Sequence, residues 1–182
     1  YCFEPSVYSA PDFDARHGRF LLQSLEALRA RLAAYGIPLY VFHSELIGAL
    51  EQLRACYRLA ALFSHQEVGT ALTFARDRAV ARWARAHGLA WNEAPLSSVR
   101  RGLRAPTGWK EHYLATLRAP LATPDLAAWQ PLVLPDELSA RLMGPPLPAA
   151  WRAPAPAFQP GGEGPAHRYL HSFLESRAAS YA

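Results

Sequence analysis

Short, continuous apolar runs alternate with amphipathic helical patterns through the first half of this chain. That alternation limits the fold more than any other feature. Leu39-Tyr40-Val41-Phe42, Leu59-Ala60-Ala61-Leu62-Phe63 and Leu89-Ala90-Trp91 are three such runs, and Tyr1 to Phe3 read as the end of a fourth, stopped by Pro5. Runs this short and this apolar suit strands of a parallel sheet covered on both faces. Asp12 or Asp14 is placed to cap a helix between the first two strands. Its Leu21, Leu25, Leu28, Leu32 and Tyr35 form one apolar stripe, with Arg16, Arg19, Gln23 and Glu26 off it and Gly36 and Pro38 at its end. Ser44 stands ahead of a second helix through Leu46, Ile47, Leu50 and Leu53, and a third runs from about Thr70 to His87, closed by Gly88. The pattern predicts an α/β domain with a four-stranded parallel core, helices on both faces and right-handed crossovers.

The texture changes near residue 97. Val99-Arg100-Arg101-Gly102-Leu103-Arg104 is basic, and no acid occurs between Glu93 and Glu111. Trp109 to Leu117 suit a short helix. Ten prolines from Pro120 to Pro160 then forbid long helices and central strands. Free linkers rarely hold so many large apolar residues, so Trp129, Leu132, Leu134, Leu138, Leu142 and Trp151 are expected to lie on other surface. Gly161-Gly162 is too short for a phosphate-cradling loop. It reads as a turn opening a helix with Ala166, Leu170, Phe173, Leu174 and Tyr181 at helical spacing, and Glu163 well placed near its N-terminus. The division is residues 1–96 as an α/β domain, 97–160 as an extended linker and 161–182 as the start of a helical domain. Beginning inside a strand without methionine and ending on a helix, the chain reads as an excerpt of a longer one.

Composition sets outer bounds. Hydrophobic residues make up 51% and charged residues 19%, enough for a core and against global disorder. The net charge of +4 attracts polyanions only weakly. It is almost all arginine, Lys110 being the sole lysine, and with abundant Ala and Pro this reflects a GC-rich genome. Cys2 and Cys56 lie far apart and outside any Cys-x-x-Cys, so a disulfide framework or a cysteine zinc site is not expected. Both read as small core residues in a reducing compartment such as the bacterial cytosol. Every apolar run falls well short of the ~18–20 residues of a membrane span, and the N-terminus has no signal character.

Several motifs together resemble the photolyase/cryptochrome family. The segment from Gly161 to Tyr181 matches its pattern G-G-E-x-x-A-x-x-x-L-x-x-F-L-x-x-R-x-x-x-Y, found where its flavin domain opens. Ala75-Arg76-Asp77 followed by Val80 is similar to its third crossover helix, Phe3-Glu4-Pro5 to the end of its second strand, and Arg19-Phe20-Leu21-x-x-Ser24-Leu25-x-x-Leu28 to its first crossover helix. The turn Ser64-His65-Gln66-Glu67 looks like that of a bacterial cryptochrome-like subgroup. Order and spacing agree over nearly the whole chain.

The resemblance implies a Rossmann-like antenna domain, sometimes holding a folate, deazaflavin or flavin light-harvester. A linker leads from it to an all-helical domain that binds FAD. In the family the reduced flavin, excited by blue light, donates an electron to a pyrimidine dimer flipped out of DNA, and cryptochromes use the same flavin for signalling. The family's first strand, central in its sheet, is absent here, as are the helical domain and its phosphate contacts. The segment is therefore expected to do no chemistry alone, to expose apolar strand edges and to have limited independent stability.

Tyr181 aligns with a tyrosine that contacts FAD in the family; a junction tyrosine packing on its neighbours is the plainer reading. Ligands of open parallel sheets sit beyond the carboxyl ends of the strands, where Glu4, His43, Ser44, His65, Gln66 and Glu67 fall. Of these, Glu4, His65 and Glu67, with Arg76 and the adjacent Asp77, are the candidates for an antenna pocket, against a surface or capping role for the Arg-Asp pair. Leu72-Thr73 stand where folate binders have Asn-Glu, so a deazaflavin, a flavin or no antenna chromophore is expected over a folate. His43, His65 and Glu67 lack metal-ligand spacing, and Ser44, Ser64 and His65 make no nucleophile set. Arg100, Arg101, Arg104 and Lys110 would steer DNA by counterion release, or form a solvated basic loop.

The leading expectation is the antenna domain and linker of a blue-light-driven repair enzyme for pyrimidine dimers in DNA, docked on its own C-terminal helical domain. A cryptochrome photoreceptor without repair is the alternative, and a stand-alone nucleotide-binding α/β adaptor a third.

Overall fold

A computed structural model describes residues 1–96, 99, 101 and 107–181. They divide into two units, one made of Tyr1–Glu45 and Asp125–Ala182, the other of Leu46–Pro124.

In the first unit a single turn α1 (Pro5–Tyr8) starts at a proline, and α2 (Ala15–Ala33) follows. Asp14 caps α2: its carboxylate accepts from the Arg16 N–H at 2.8 Å, and the Asp14 N–H donates back to His17 Nδ1 at 3.3 Å. Cys2 and Phe42 form an isolated parallel bridge, with the Phe3 N–H donating to the Phe42 carbonyl at 2.7 Å. The proline-rich connector then folds back onto the unit. Its α6 (Asp136–Met143) has acids in the first turn, Arg141 in the last, Pro135 ahead of it and Gly144 with φ +67° behind it. Leu138 and Leu142, four residues apart on one face, are buried, Leu142 completely.

Trp151 is the centre of this unit's core. It sits in a 3-10 turn, Ala149–Trp151, with ring centroids 5.1 Å from Phe3, 5.4 Å from Tyr8 and 5.6 Å from Phe13. Phe3 and Leu22 are buried with it, flanked by Leu21, Leu25, Val41 and Leu147. A Cβ on Gly18 would overlap the indole, so the notch in α2 exists only because residue 18 is glycine. The expected stripe on α2 is thus shifted. Gly18 and Leu22 are its buried positions, while Leu28 and Tyr35 are exposed, because the contact surface of α2 is centred on its N-terminal half. Leu134, Leu138, Leu142 and Trp151 lie on other surface as expected; Trp129 and Leu132 do not.

The connector ends in α7 (Glu163–Ser172), prolonged by a π-helical turn, Phe173–Arg177, and a 3-10 turn, Ala178–Ser180.

The second unit holds α3 (Leu46–Cys56), β1 (Ala61–His65), α4 (Ala71–Ala86), β2 (Ala90–Ala94) and α5 (Trp109–Arg118). β1 and β2 pair in parallel, from Ala61 opposite Ala90 to His65 opposite Ala94. Thr70 caps α4 through the Thr73 N–H at 3.3 Å. Leu50, Trp83 and Ala84 form the core, with Leu46, Ile47, Leu59, Leu62, Leu89 and Trp91 around it.

The α/β class and the parallel pairing are as expected, but among the described residues the sheet is smaller than a four-stranded core: a two-stranded sheet and, separately, the Cys2–Phe42 bridge. β1 begins two residues later than its apolar run and includes Ser64 and His65, because the ladder joins backbone groups and needs no apolar side chain. Phe63 is 79% exposed, so this sheet is not covered on both faces within its unit. Cys56 is exposed, contrary to its reading as a core residue, since it ends α3; neither cysteine forms a disulfide. Ser44 Oγ is buried without a hydrogen bond and does not cap α3.

Two outcomes follow from these contacts. Trp151→Ala removes the central ring of the first unit and is expected to cost about 3–5 kcal/mol, with Gly18→Ala also destabilising through overpacking, both read by urea unfolding. In the second unit the Trp83 indole N–H, donating to Glu51 Oε1 at 2.7 Å, with Arg54 beside it, holds the Glu51 carboxyl below its ordinary range. A lowered carboxyl stabilises the fold above its unfolded value, and that contribution fades as pH falls through its folded value. The melting-temperature gap between wild type and Glu51→Gln should therefore be present at neutral pH and close on acidification.

Candidate functional site

At the carboxyl ends of β1 and β2, five charged side chains converge. The turn after β1 is tied to β2 by the Gln66 N–H donating to the Ala94 carbonyl at 2.8 Å. Glu67 follows, and the first turns of α4 bring Arg76 and Asp77 beside it. Asp77 is the hub, only 7% exposed. Its carboxylate accepts from the Glu67 N–H at 3.1 Å, from Arg101 Nη2 at 2.7 Å and from Arg76 Nη2 at 3.4 Å. Arg76 Nη2 also donates to Glu67 Oε2 at 3.0 Å, and Glu67 Oε1 accepts from the Gly69 N–H at 2.6 Å. Arg101 reaches Glu93 at 3.1 Å and the Glu67 carbonyl at 3.1 Å.

Two guanidiniums and three carboxylates thus satisfy one another around a nearly buried aspartate. Such a cluster orders the turn, since most of its charges are held by one another. Of the sequence-derived pocket residues, Glu67 and Arg76 come together and pair with each other. His65 is exposed, beside Phe63 and Asn92 at an open surface hollow. Arg101 and Glu93 were not singled out as members of this network. Arg101 lies 24 positions from Asp77, and the only signal was its place in a basic stretch. Arg100 and Arg104 lie outside the described residues.

Glu4 belongs to the other unit, where it is buried beyond the Cys2–Phe42 bridge and its carbonyl accepts from the Val7 and Tyr8 N–H groups. His43, also buried, pairs through Nδ1 with the Pro145 carbonyl at 2.6 Å and through Nε2 with the Tyr8 hydroxyl. A carbonyl only accepts, so Nδ1 holds the proton and the Tyr8 hydroxyl donates to Nε2. Gly144 makes this possible: a Cβ there would overlap the His43 carbonyl.

Beside this pair a cleft of about 650 Å³ opens between α2, residues 39–43 and the connector. Leu22, Leu39, Val41, Met143 and Leu147 supply apolar walls, while Arg29 and Arg152 bring positive charge. Arg29 is steadied through Nε on the Leu39 carbonyl at 3.1 Å, and Arg152 donates to Glu26 at 3.3 Å. Volume, apolar walls and a few polar groups are the usual ingredients of a small-molecule site. Neither arginine was a pocket candidate, since the connector half of the cleft has no local sequence signature.

The glycine pair before α7 is a close-contact seat. The Gly161 N–H donates to Gln23 Oε1 at 2.8 Å and the Gly162 N–H to Ser24 Oγ at 3.0 Å, and a Cβ on Gly161 would overlap the Phe20 carbonyl. Glu163 pairs with Arg31. Tyr181 follows the last turn, 81% exposed, its ring edge-on to Phe173 at 5.5 Å.

Among the described residues no group of three or more His, Cys, Asp or Glu is placed to hold a metal, and no helix is long and apolar enough to cross a membrane.

Asp77→Asn keeps the shape of the hub but leaves two guanidiniums facing a neutral amide. A loss of about 2–4 kcal/mol is expected, with faster proteolysis in the 66–69 turn, measured by urea unfolding and limited digestion.

Among known proteins, the family model described as DNA photolyase matches residues 1–101, more than half of the chain. A search of the curated proteins found no match.

Proposed function

The chain belongs to the DNA photolyase family, and from that premise we propose that it is the antenna domain and linker of a blue-light-driven repair enzyme for pyrimidine dimers in DNA. The observation that carries this reading beyond the family is the seat of Gly161-Gly162 on α2. Pinned there by Gln23, Ser24 and Arg31, α7 leaves Leu170, Leu174 and Tyr181 exposed. Exposed apolar groups on a firmly anchored helix suit a surface that a helical flavin-binding domain would cover.

In this reading Tyr181 is the one FAD contact supplied by this chain, and the remaining contacts come from the helical domain. When bound, the reduced flavin supplies the light-driven electron for splitting the dimer. A light-harvesting chromophore, a deazaflavin or flavin, fits the cleft of the first unit better than the charged cluster of the second. Leu39, Val41, Met143 and Leu147 would flank a planar ring, and Arg29 or Arg152 would meet its polar tail. Glu67 and Arg76 are reassigned to ordering the turn after β1, and Glu4 and His65 have no part in that cleft.

The test is expression of the complete gene. The expected product is yellow, with flavin absorbance in the blue, and restores dimer-containing DNA on illumination. Absence of flavin sinks the reading; flavin without repair replaces it with a photoreceptor.

A further inference from the structure

We propose that the outer face of α4 is a docking strip for the phosphate backbone of double-stranded DNA. Charge is divided very unevenly along this chain. Residues 46–124 hold eleven Arg and Lys against five Asp and Glu, whereas the rest hold eight against ten. Four of those five acids are already paired: Glu51 with Arg54 at the surface, and Glu67, Asp77 and Glu93 with Arg76 and Arg101.

What is left over is concentrated on one helix face. Arg78, Arg82 and Arg85 follow at i, i+4 and i+7, within about 60° of arc and about 10 Å of length. All three are exposed and form no ion pair among the described residues. The opposite face of α4, with Asp77, Val80, Trp83 and Ala84, is buried and fixes the strip's outward direction. Phe74 lies at the strip's N-terminal end, with the Arg78 and Arg101 guanidiniums each 5.3 Å from its ring centroid. Many other arginines here already hold a carboxylate or a carbonyl: Arg16, Arg19, Arg29, Arg31, Arg152 and Arg177.

A duplex presents one negative charge per ~1.7 Å of axis, so a 10 Å strip faces roughly six phosphate charges. Three guanidiniums without acids between them match that field, and nothing on the strip reads bases. The contact is therefore sequence-independent. It rests on the family reading for the choice of DNA, but not on flavin or on repair.

The test uses the protein from the complete gene and an undamaged duplex, titrated across a range of salt. Arg78→Ala/Arg82→Ala/Arg85→Ala is expected to reduce the slope of log K against log salt by about 2–3. Replacing all three by lysine should keep the slope within about 1 of wild type. Alanine favours the helix and these positions are exposed, so folding should survive. The single changes Arg82→Ala and Arg85→Ala, each reducing the slope by about 1, give a second reading if it does not. Arg16→Ala/Arg168→Ala should leave the slope unchanged. A triple-alanine slope equal to wild type overturns the proposal, as does a lysine variant as weak as the alanine one, or a loss seen only with phosphatidylserine vesicles. Flavin absorbance is read on the same samples, so failure of the strip and failure of the proposed function are told apart.

Discussion

The first unit depends on one indole. Trp151 comes from the proline-rich connector, yet it fills the space between Phe3, Tyr8, Phe13 and the Gly18 notch of α2. Without it, α2 and the Cys2–Phe42 pair would share little apolar surface, since their own buried residues are few. The connector is thus not a tether between finished parts. Its prolines limit it to short helices and turns, which reduces the conformational freedom lost when it settles. Its apolar residues then complete a core that the α/β elements leave open.

The same connector creates the cleft and delivers the last helix. Met143, Gly144 and Pro145 form one wall of the cleft and the acceptor for His43, and the Gly161-Gly162 seat fixes where α7 starts. The cleft and the start of the last helix thus share one support. In the second unit, stability and charge are organised differently. Asp77 gathers the inward arginines, which leaves the outward ones on α4 without counter-charges.

Much of this was legible in the sequence, and the reasons are specific. Capping at Asp14, the start of α4 near Thr70, helix stops at Gly36 and Gly88, and the alternation of apolar runs with helical stripes depend on neighbours within a few residues. The α6 helix was not read from the sequence: Asp136, Glu137 and Arg141 fit the helix dipole, but the surrounding prolines masked it. The site was read less well. Glu67 and Arg76 do stand together, yet as partners of each other, because Arg101 and the Glu67 N–H arrive from separate segments to saturate Asp77.

The sequence by itself determined the α/β class, the parallel sense of pairing, the family and the ends of the helices at Asp14, Gly36 and Gly88, because these follow from local spacing and from motifs read in order. The tertiary structure decided the size of the sheet, the notch that accepts Trp151, the mutual pairing of Glu67 and Arg76 and the presence of another cleft. Those depend on groups tens to more than a hundred residues apart, and on whether each charge meets a counter-charge once the chain has folded. No local pattern contains that information.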